Sequence, residues 1–181
     1  MPEYYNVSDN TVPAVMGRRT LHRRGIVIHT SEGINSLNWL QGGSALHGRP
    51  ASADYLISRK GDIMQIIPPG YYAYHTGQAR HGLYQEPDRT INQGYYGIEL
   101  ENYAKDGQRV TDLQYISLAY LVRILVSYIR IDLRNIIGHY QVALPQGRKQ
   151  DPSGFDWSTL AVEMINPSPE WKDYLLMEEI P

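Results

Sequence analysis

Short apolar runs rich in β-branched residues alternate along this chain with helical patterns. The runs at residues 25–30, 55–58 and 63–67 predict three strands, of which the second and third pair as a hairpin. Residues 95–102 alternate apolar and polar side chains, and residues 136–139 form a short last strand. Strands that alternate with helices, together with a hairpin, indicate an α/β domain with a mixed sheet.

Three stretches carry the helical spacing of apolar residues. A first helix is predicted around residues 34–46, although two adjacent glycines weaken the helical signal there. Thr111 is placed to cap the clearest helix, in which apolar residues recur over residues 113–128. Asp156 is placed to cap a final helix over residues 157–165.

The predicted elements fit one domain. A chain of 181 residues favours a single domain and buries about 70% of the surface of its unfolded state. We expect a loosely structured N-terminal arm over residues 1–22 that runs into a basic cluster including Arg23, the domain over residues 23–165, and a C-terminal tail over residues 166–181. Residues 71–94, which lack periodicity, are predicted as a long loop, and long loops in compact domains often serve function.

Composition excludes several classes of protein. The chain has no cysteine, which rules out disulfide scaffolds, cysteine-rich zinc modules, iron–sulfur ligation and thiol catalysis. A net charge of −2 and a pI near 6.3 provide no basic field for nucleic acid or anionic lipid. No run reaches the about 18 to 20 consecutive apolar residues of a membrane helix, and the N-terminus shows no signal peptide. We therefore expect a protein that is cytoplasmic as synthesised, with no nucleic-acid partner and no membrane insertion.

Three side chains could ligate a metal. His29 ends one apolar strand, His139 ends another, and Asp151 follows in a loop rich in glycine and proline. Imidazole and carboxylate suit zinc, and three protein ligands leave a fourth position for water. Spacing alone leaves simpler roles open, because a histidine at a strand end also serves as a hydrogen-bonded core or rim residue. An aspartate before proline also forms turns.

Glu99 and Lys149 are candidates for acid–base and electrostatic roles. Glu99 lies among apolar neighbours on the strand face away from Ile98 and Leu100, where partial burial would raise its pKa and suit it to accept a proton. Lys149 stands two residues before Asp151, so in an extended stretch its ammonium would lie on the same side and stabilise an oxyanion. The alternatives are a solvated outer face for Glu99 and an ordinary exposed loop position for Lys149.

His75 lies in the predicted long loop, within the sequence Tyr74-His75-Thr76-Gly77. A histidine there could contact a ligand or act as a further acid or base, and a plain surface position is the alternative.

Taken in chain order, eight short segments resemble the type 2 N-acetylmuramoyl-L-alanine amidases. This zinc amidase fold is shared with phage amidase lysozymes and peptidoglycan recognition proteins. The resemblance runs from about residue 25 to residue 160, and the segments are IVIHT at 26–30, SADYLI at 52–57, GDIMQ at 61–65, AYHTG at 73–77, YGIELEN at 96–102, IGH at 137–139, GRKQDP at 147–152 and FDW at 155–157.

The resemblance implies a single α/β domain with a mixed central sheet flanked by helices. It also implies a zinc ion bound by His29, His139 and Asp151. In the same comparison Glu99 corresponds to the catalytic carboxylate and Lys149 to its electrostatic partner.

The resemblance places three more residues at the groove for substrate: His75, Tyr74 and Asp54. Many relatives carry histidine at the position of Asp54, and a negative charge there would alter contacts in the groove. Some relatives carry a catalytic tyrosine at the position of Ala53, so in this chain the chemistry would depend on Glu99.

The activity implied is zinc-dependent hydrolysis of the amide bond between the lactyl group of N-acetylmuramic acid and L-alanine. The substrate would be peptidoglycan or muropeptides, acted on by a monomer, at the cell wall if the protein is released. Two alternatives stay open: a peptidoglycan-binding module without activity on the same fold, and a metal-free α/β interaction protein. The resemblance does not distinguish a phage endolysin, a muropeptide-recycling enzyme and a secreted effector.

Overall fold

The described part of the chain contains eight strands and five α-helical segments. The structure is a computed structural model, and it describes residues 2–31, 33, 36–82, 90–102 and 108–167. The strands are β1 (Tyr4–Asn6), β2 (Met16–Arg18), β3 (Gly25–Thr30), β4 (Tyr55–Ile57), β5 (Ile63–Gln65), β6 (Tyr71–Ala73), β7 (Tyr95–Leu100) and β8 (Ile136–Gly138). The helices are α1 (Ser36–Asn38), α2 (Ser44–Leu46), α3 (Thr90–Gly94), α4 (Asp112–Ile129) and α5 (Trp157–Ile165).

Six of these strands form one mixed sheet in the order β1-β5-β4-β7-β3-β8. The strands β4, β7, β3 and β8 run parallel to one another, whereas β5 pairs antiparallel with β4 and parallel with β1. The strands β2 and β6 form a separate antiparallel pair. The predicted α/β fold with a mixed sheet and a β4–β5 hairpin is confirmed. The carboxyl ends of β3, β7 and β8 meet at one edge of the sheet.

The two faces of the central strands serve different purposes. Ile28 on β3 and Ile98 and Leu100 on β7 are fully buried in the core formed with α4 and α5. Because side chains alternate along a strand, His29 and Glu99 point to the opposite face. The predicted alternation of β7 is therefore confirmed, and both polar residues lie away from the helical layer.

The helix α4 begins at the predicted cap. The side chain of Thr111 accepts a hydrogen bond from the backbone N–H of Gln114, whose own side chain accepts from the Thr111 N–H, which is a capping box. By length and composition α4 also meets the criterion for a membrane span, but 50% of it is buried. Leu118 and Leu121 on α4 are fully buried in the core, so α4 is the central helix of the domain.

The first predicted helix is interrupted. The short helices α1 and α2 are joined by a π-helical turn, Trp39–Gly43, in which Gly42 has a φ of 152°. A Cβ at Gly42 would lie 2.5 Å from a methyl group of Val12, so glycine is required both for the conformation and for the packing of the N-terminal segment. Ile34, where the helix was predicted to begin, lies outside the described residues.

The expectation of a loosely structured arm is wrong for residues 2–22. The strand β1 adds to the edge of the main sheet through β5, and β2 pairs with β6. Val15 is fully buried. Strands of three residues are too short to show a periodic pattern, so only their pairing partners reveal them.

The predicted loop over residues 71–94 begins with β6 and ends with α3, and residues 83–89 lie outside the described part. Both elements are too short for periodicity to reveal them. Residues 168–181 of the predicted tail also lie outside the described part. The domain boundaries at residues 22 and 165 stay predictions. The final helix α5 begins where predicted, with the Asp156 carboxylate accepting from the N–H groups of Ser158 and Thr159.

Candidate metal centre

The parallel strands bring two histidines and a glutamate to one edge of the sheet. The register pairs His29 on β3 with Glu99 on the adjacent strand β7. It also pairs Ile28 with Gly138 at the end of β8, so that His139 follows immediately beside His29. Residues at the carboxyl ends of parallel strands share an edge because the strands run in one direction.

Three ligand atoms converge at this edge. The Nδ1 atom of His29 lies 3.1 Å from Nδ1 of His139 and 3.1 Å from Oδ2 of Asp151. The Nδ1 atom of His139 lies 3.0 Å from the same Oδ2. The side chains of His29 and Asp151 are 3% and 11% exposed, so the cluster is largely withdrawn from water.

Backbone hydrogen bonds hold the loop that carries Asp151. The Tyr140 N–H donates to the Asp151 carbonyl at 3.0 Å, just after β8. The Ser153 N–H donates to Oγ1 of Thr30, the last residue of β3, at 3.0 Å. The loop is thus attached to both histidine-bearing strands, which fixes the carboxylate opposite the two rings.

The remaining ring nitrogens also have partners. The Nε2 atom of His139 lies 3.1 Å from the carbonyl oxygen of Thr76. A carbonyl oxygen only accepts, so this Nε2 carries the proton and the Nδ1 of neutral His139 presents a lone pair to the cluster. The Nε2 atom of His29 lies 3.0 Å from Nδ1 of His75.

The electrostatics favour the ligand forms of His29 and Asp151. The pKa of His29 is lowered to about 4. Burial is the largest cause, the neighbouring His139 is the second, and the positive charge of Lys149 has a smaller effect. The ring of His29 is therefore neutral at pH 7. Burial raises the pKa of Asp151, but its contacts with His139 and His29 outweigh burial and lower this pKa below its usual range, so Asp151 is a carboxylate.

The donor set fits zinc. Two imidazole nitrogens and one carboxylate oxygen are ligand types found in catalytic zinc sites, where three protein ligands leave the fourth position to water. In a tetrahedron with zinc–ligand bonds of about 2.0 to 2.2 Å, neighbouring ligand atoms lie about 3.3 Å apart, close to the 3.0 to 3.1 Å observed for His29, His139 and Asp151. The cluster also satisfies the spacing of a metal site, with all three atoms within 4.8 Å of one another.

Two further predicted residues belong to neighbouring parts of the chain. Glu99 is half-buried, and the register pairs it with His29 on the neighbouring strand and on the same sheet face. Lys149 is exposed in the loop before Asp151, and its positive charge contributes to lowering the pKa of His29. The catalytic roles of both residues stay predictions.

His75 does not occupy the open loop position considered for it. Its side chain is buried at 8% exposure, with its ring in edge contact with that of His29. The pKa of His75 is well below its ordinary value, mainly because the ring is buried and secondly because His29 lies beside it. The neighbouring Tyr74 is half-buried beside the ring of Tyr72 and stays a predicted substrate contact.

Asp54 does not face a groove. It is 3% exposed, forms an ion pair with Arg23 and accepts a hydrogen bond from the Gly97 N–H at 2.8 Å. The predicted contact of Asp54 with substrate is therefore corrected, because its carboxylate neutralises a buried cation. Ala53, at the position where some relatives carry a catalytic tyrosine, is fully buried in an apolar cluster.

Asn92, which no motif in the sequence indicates, holds the segment beside the histidines. Its Oδ1 accepts hydrogen bonds from the N–H groups of His75 and Thr76 and from the Thr76 hydroxyl. Arg148 anchors the same segment and is likewise without a sequence signal; its guanidinium donates to the carbonyl oxygens of Thr76 and Gln78. The hydrogen bonds of Asn92 and Arg148 join residues that are not neighbours in the sequence, so no local pattern predicts them.

Comparison with known protein families identifies one match that covers most of the chain. The model of the family described as N-acetylmuramoyl-L-alanine amidase matches residues 19–154. The 1,6-anhydro-N-acetylmuramyl-L-alanine amidase AmpD of Enterobacter cloacae is 39% identical over 108 residues, 59% of this chain and 54% of that protein. AmpD of Escherichia coli K12 is 38% identical over 112 residues, 61% of this chain and 57% of that protein. The chain spans about half the length of these curated relatives.

Solved structures share the fold. A selenomethionine derivative of AmpD superimposes with a TM-score of 0.70 at 24% identity, covering 90% of this chain and 94% of that one. The amidase LysC from Clostridium intestinale gives 0.61 at 16% identity, covering 91% and 99%. AmpDh3 from Pseudomonas aeruginosa, in complex with anhydromuramic pentapeptide, gives 0.63 at 23% identity, covering 83% and 61%. The predicted fold is confirmed by these likenesses.

Proposed function

The chain belongs to the N-acetylmuramoyl-L-alanine amidase family, and from that premise we propose that it is a zinc-dependent amidase. It hydrolyses the amide bond between the lactyl group of N-acetylmuramic acid and L-alanine. The observation that carries this proposal is the convergence of His29, His139 and Asp151 beside Glu99 at one sheet edge. The complete ligand set favours an enzyme over a binding module without activity.

The zinc ion would be held by His29, His139 and Asp151. When bound, it would polarise the scissile carbonyl and make a water molecule more acidic. The three side chains are largely withdrawn from water, and in such a setting charge interactions are stronger than in water.

Glu99 is the general base in this proposal. Neighbouring strands lie about 4.8 Å apart, and the parallel register puts the Glu99 side chain beside His29 on the same face. From there its carboxylate accepts the proton of the attacking water and delivers it to the leaving amine of alanine. The half-buried position supports this role, because it leaves the carboxylate open to the face that His29 occupies.

Lys149 stabilises the negative charge that develops on the carbonyl oxygen. Its ammonium is exposed, lies two residues before Asp151 and exerts its charge at His29. A cation so placed is already in position before charge develops, which is the property that makes electrostatic stabilisation effective.

Soluble anhydromuropeptides are the proposed substrate. The curated relatives at 38 to 39% identity carry the name 1,6-anhydro-N-acetylmuramyl-L-alanine amidase. A structural neighbour was solved with anhydromuramic pentapeptide bound. A soluble substrate agrees with the expectation that the protein acts as a monomer in the cytoplasm, and both of these stay predictions.

Mass spectrometry of parallel digests tests this function. The zinc-loaded protein is incubated with an anhydromuramyl peptide and, separately, with intact sacculi. We expect release of the free peptide and the anhydro sugar from the first and much slower release of peptide from the second. Rapid digestion of sacculi with little turnover of the soluble compound would make polymeric peptidoglycan the substrate. Binding without cleavage of either would make the chain a binding module.

A further inference from the structure

Two adjacent residues meet the outer nitrogens of both histidine ligands. The Nδ1 atom of His75 lies 3.0 Å from Nε2 of His29, and the carbonyl oxygen of Thr76 lies 3.1 Å from Nε2 of His139. One short segment after β6 therefore contacts both rings on the side away from the centre. The two contacts differ in kind, because a carbonyl oxygen only accepts whereas an imidazole nitrogen either donates or accepts.

The direction of the hydrogen bond between His29 and His75 follows from a third group. The Nε2 atom of His75 lies 3.3 Å from the backbone carbonyl oxygen of Tyr95. The carbonyl accepts, so Nε2 of neutral His75 carries the proton and Nδ1 is left as an acceptor. The N–H at Nε2 of His29 then donates to this acceptor. The Nδ1 atom of His29 keeps its lone pair and turns it toward His139 and Asp151.

The ring of His75 is held in place from two sides. Its backbone N–H donates to Oδ1 of Asn92 at 3.1 Å, and Asn92 is itself only 4% exposed. Gly97 on β7 leaves the room that the ring occupies, since a Cβ at that position would lie 2.6 Å from Cγ of His75. A packed and hydrogen-bonded ring is a fixed acceptor, not a mobile loop side chain.

We propose that His75 is a positioning residue, which holds His29 in the tautomer protonated at Nε2 and so directs Nδ1 of His29 to the metal. The Tyr95 carbonyl sets the tautomer of His75 in turn. This inference rests on the proposed function, because it concerns the same zinc centre. Partners of this kind in the outer shell change metal affinity by about 10- to 100-fold when they are removed.

Two substitutions at one position separate the hydrogen bond from the bulk of the side chain. His75→Leu fills comparable space without an acceptor, whereas His75→Asn offers Oδ1 at nearly the reach of Nδ1. The zinc dissociation constant is measured by competition with a chelator at pH 7, with circular dichroism as the check on folding. We expect zinc binding to weaken about 10- to 100-fold in His75→Leu and to stay within a few-fold of wild type in His75→Asn.

His81→Leu is the matched control. His81 is another loop histidine, but its Nδ1 contacts the Tyr95 hydroxyl at 2.8 Å, and we expect its loss to leave zinc affinity unchanged. Equal weakening in His75→Leu and His75→Asn, or wild-type affinity in His75→Leu, overturns the proposal. If His75→Leu binds zinc with wild-type affinity, its zinc content and its turnover would still support the proposed function.

A direct reading of the tautomers does not depend on any variant folding. Long-range ¹H–¹⁵N correlation spectra of the zinc-loaded wild-type protein distinguish protonation at Nδ1 from protonation at Nε2. We expect both His29 and His75 to be protonated at Nε2. Protonation of His75 at Nδ1 overturns the positioning role while leaving the enzyme intact. A wild-type chain that binds no zinc overturns the proposed function, and this inference with it.

Discussion

Burial makes His29 suited to metal binding near neutral pH. An exposed histidine is partly protonated at pH 6.5, whereas burial and the neighbouring His139 lower the pKa of His29 to about 4. Asp151 supplies the single negative charge in the cluster, at 3.0 to 3.1 Å from both rings. His29 and Asp151 are thus in their binding forms before a metal arrives, which reduces the number of protons released on binding.

Replacing His139 with alanine should abolish metal binding and activity together. The variant keeps two ligands, which hold zinc poorly. We expect zinc affinity to fall by more than about 100-fold, beyond the range for residues that act through a ligand. The fold should persist, because the helical core lies on the opposite face of the sheet. Metal analysis after dialysis, with circular dichroism, measures both, and normal zinc content would make His139 a structural histidine.

The buried pair of Arg23 and Asp54 should matter for stability. Both side chains are nearly inaccessible, at 2% and 4% exposure. Asp54→Asn leaves the guanidinium buried without its counter-charge, and we expect the free energy of unfolding to fall by about 3 to 5 kcal/mol in urea titrations. Asp132→Asn is the control, because Asp132 pairs with Arg134 on the surface, and little change is expected there. Equal losses of unfolding free energy in Asp54→Asn and Asp132→Asn would contradict the stabilising role of the buried pair.

At the scale of elements, the strand ends and the helix caps determine where the site forms. His29 lies in β3 and His139 directly follows β8, while Glu99 shares the register of His29 on β7. The cap at Thr111 also joins layers, because its hydroxyl donates to the Arg59 carbonyl at 3.0 Å, beyond the end of β4. The start of α4 is therefore tied to the sheet as well as to its own first turn.

Thr111→Ala should destabilise the protein without affecting the metal centre. Loss of the capping box costs about 1 kcal/mol, up to about 2 kcal/mol in favourable cases, and the link to Arg59 is lost as well. Ser127→Ala is the control, because Ser127 is exposed in α4 and alanine is the better helix former. Urea titrations should show a lower unfolding midpoint for the first variant only. An unchanged midpoint for Thr111→Ala would mean that the cap contributes nothing.

Local pattern was enough to predict the elements that carry the centre, and not enough to predict its surroundings. The ends of β3 and β8 and the cap of α4 follow from runs and spacings of neighbouring residues. The contact of His29 with His75 joins residues 46 apart, and the pair of Arg23 with Asp54 joins residues 31 apart. Such partners are set by the packing of distant segments. From the sequence alone a charged residue is expected to be exposed, because the sequence does not show where its counter-charge lies.

At the scale of the whole molecule, the three ligands come from distant parts of the chain. His29 is 110 residues from His139 and 122 residues from Asp151, and the sheet order places β3 between β7 and β8. A metal that binds all three therefore links separate strands and a loop. Since the unfolded chain does not present this arrangement, binding stabilises the folded state.

Zinc should raise the unfolding temperature. At a free concentration of about 100 times the dissociation constant, binding adds about 2.7 kcal/mol. For a domain of this size the shift is about 5 to 10 °C. Calorimetry with zinc, with magnesium and with a chelator measures it, and magnesium should have little effect because it prefers octahedral oxygen ligands. An identical shift in His139→Ala would place the stabilising metal elsewhere.

The turnover of Glu99→Gln under zinc-saturating conditions tests the central claim most directly. Glutamine is nearly isosteric but cannot accept the proton of the attacking water. We predict that zinc and substrate binding persist while turnover of an anhydromuramyl peptide falls by about 10²- to 10⁴-fold, or about 3 to 5 kcal/mol. Glu101→Gln, two residues along the chain, should cost little. Wild-type turnover in Glu99→Gln, or a loss confined to Glu101→Gln, would contradict the assignment of Glu99 as the base.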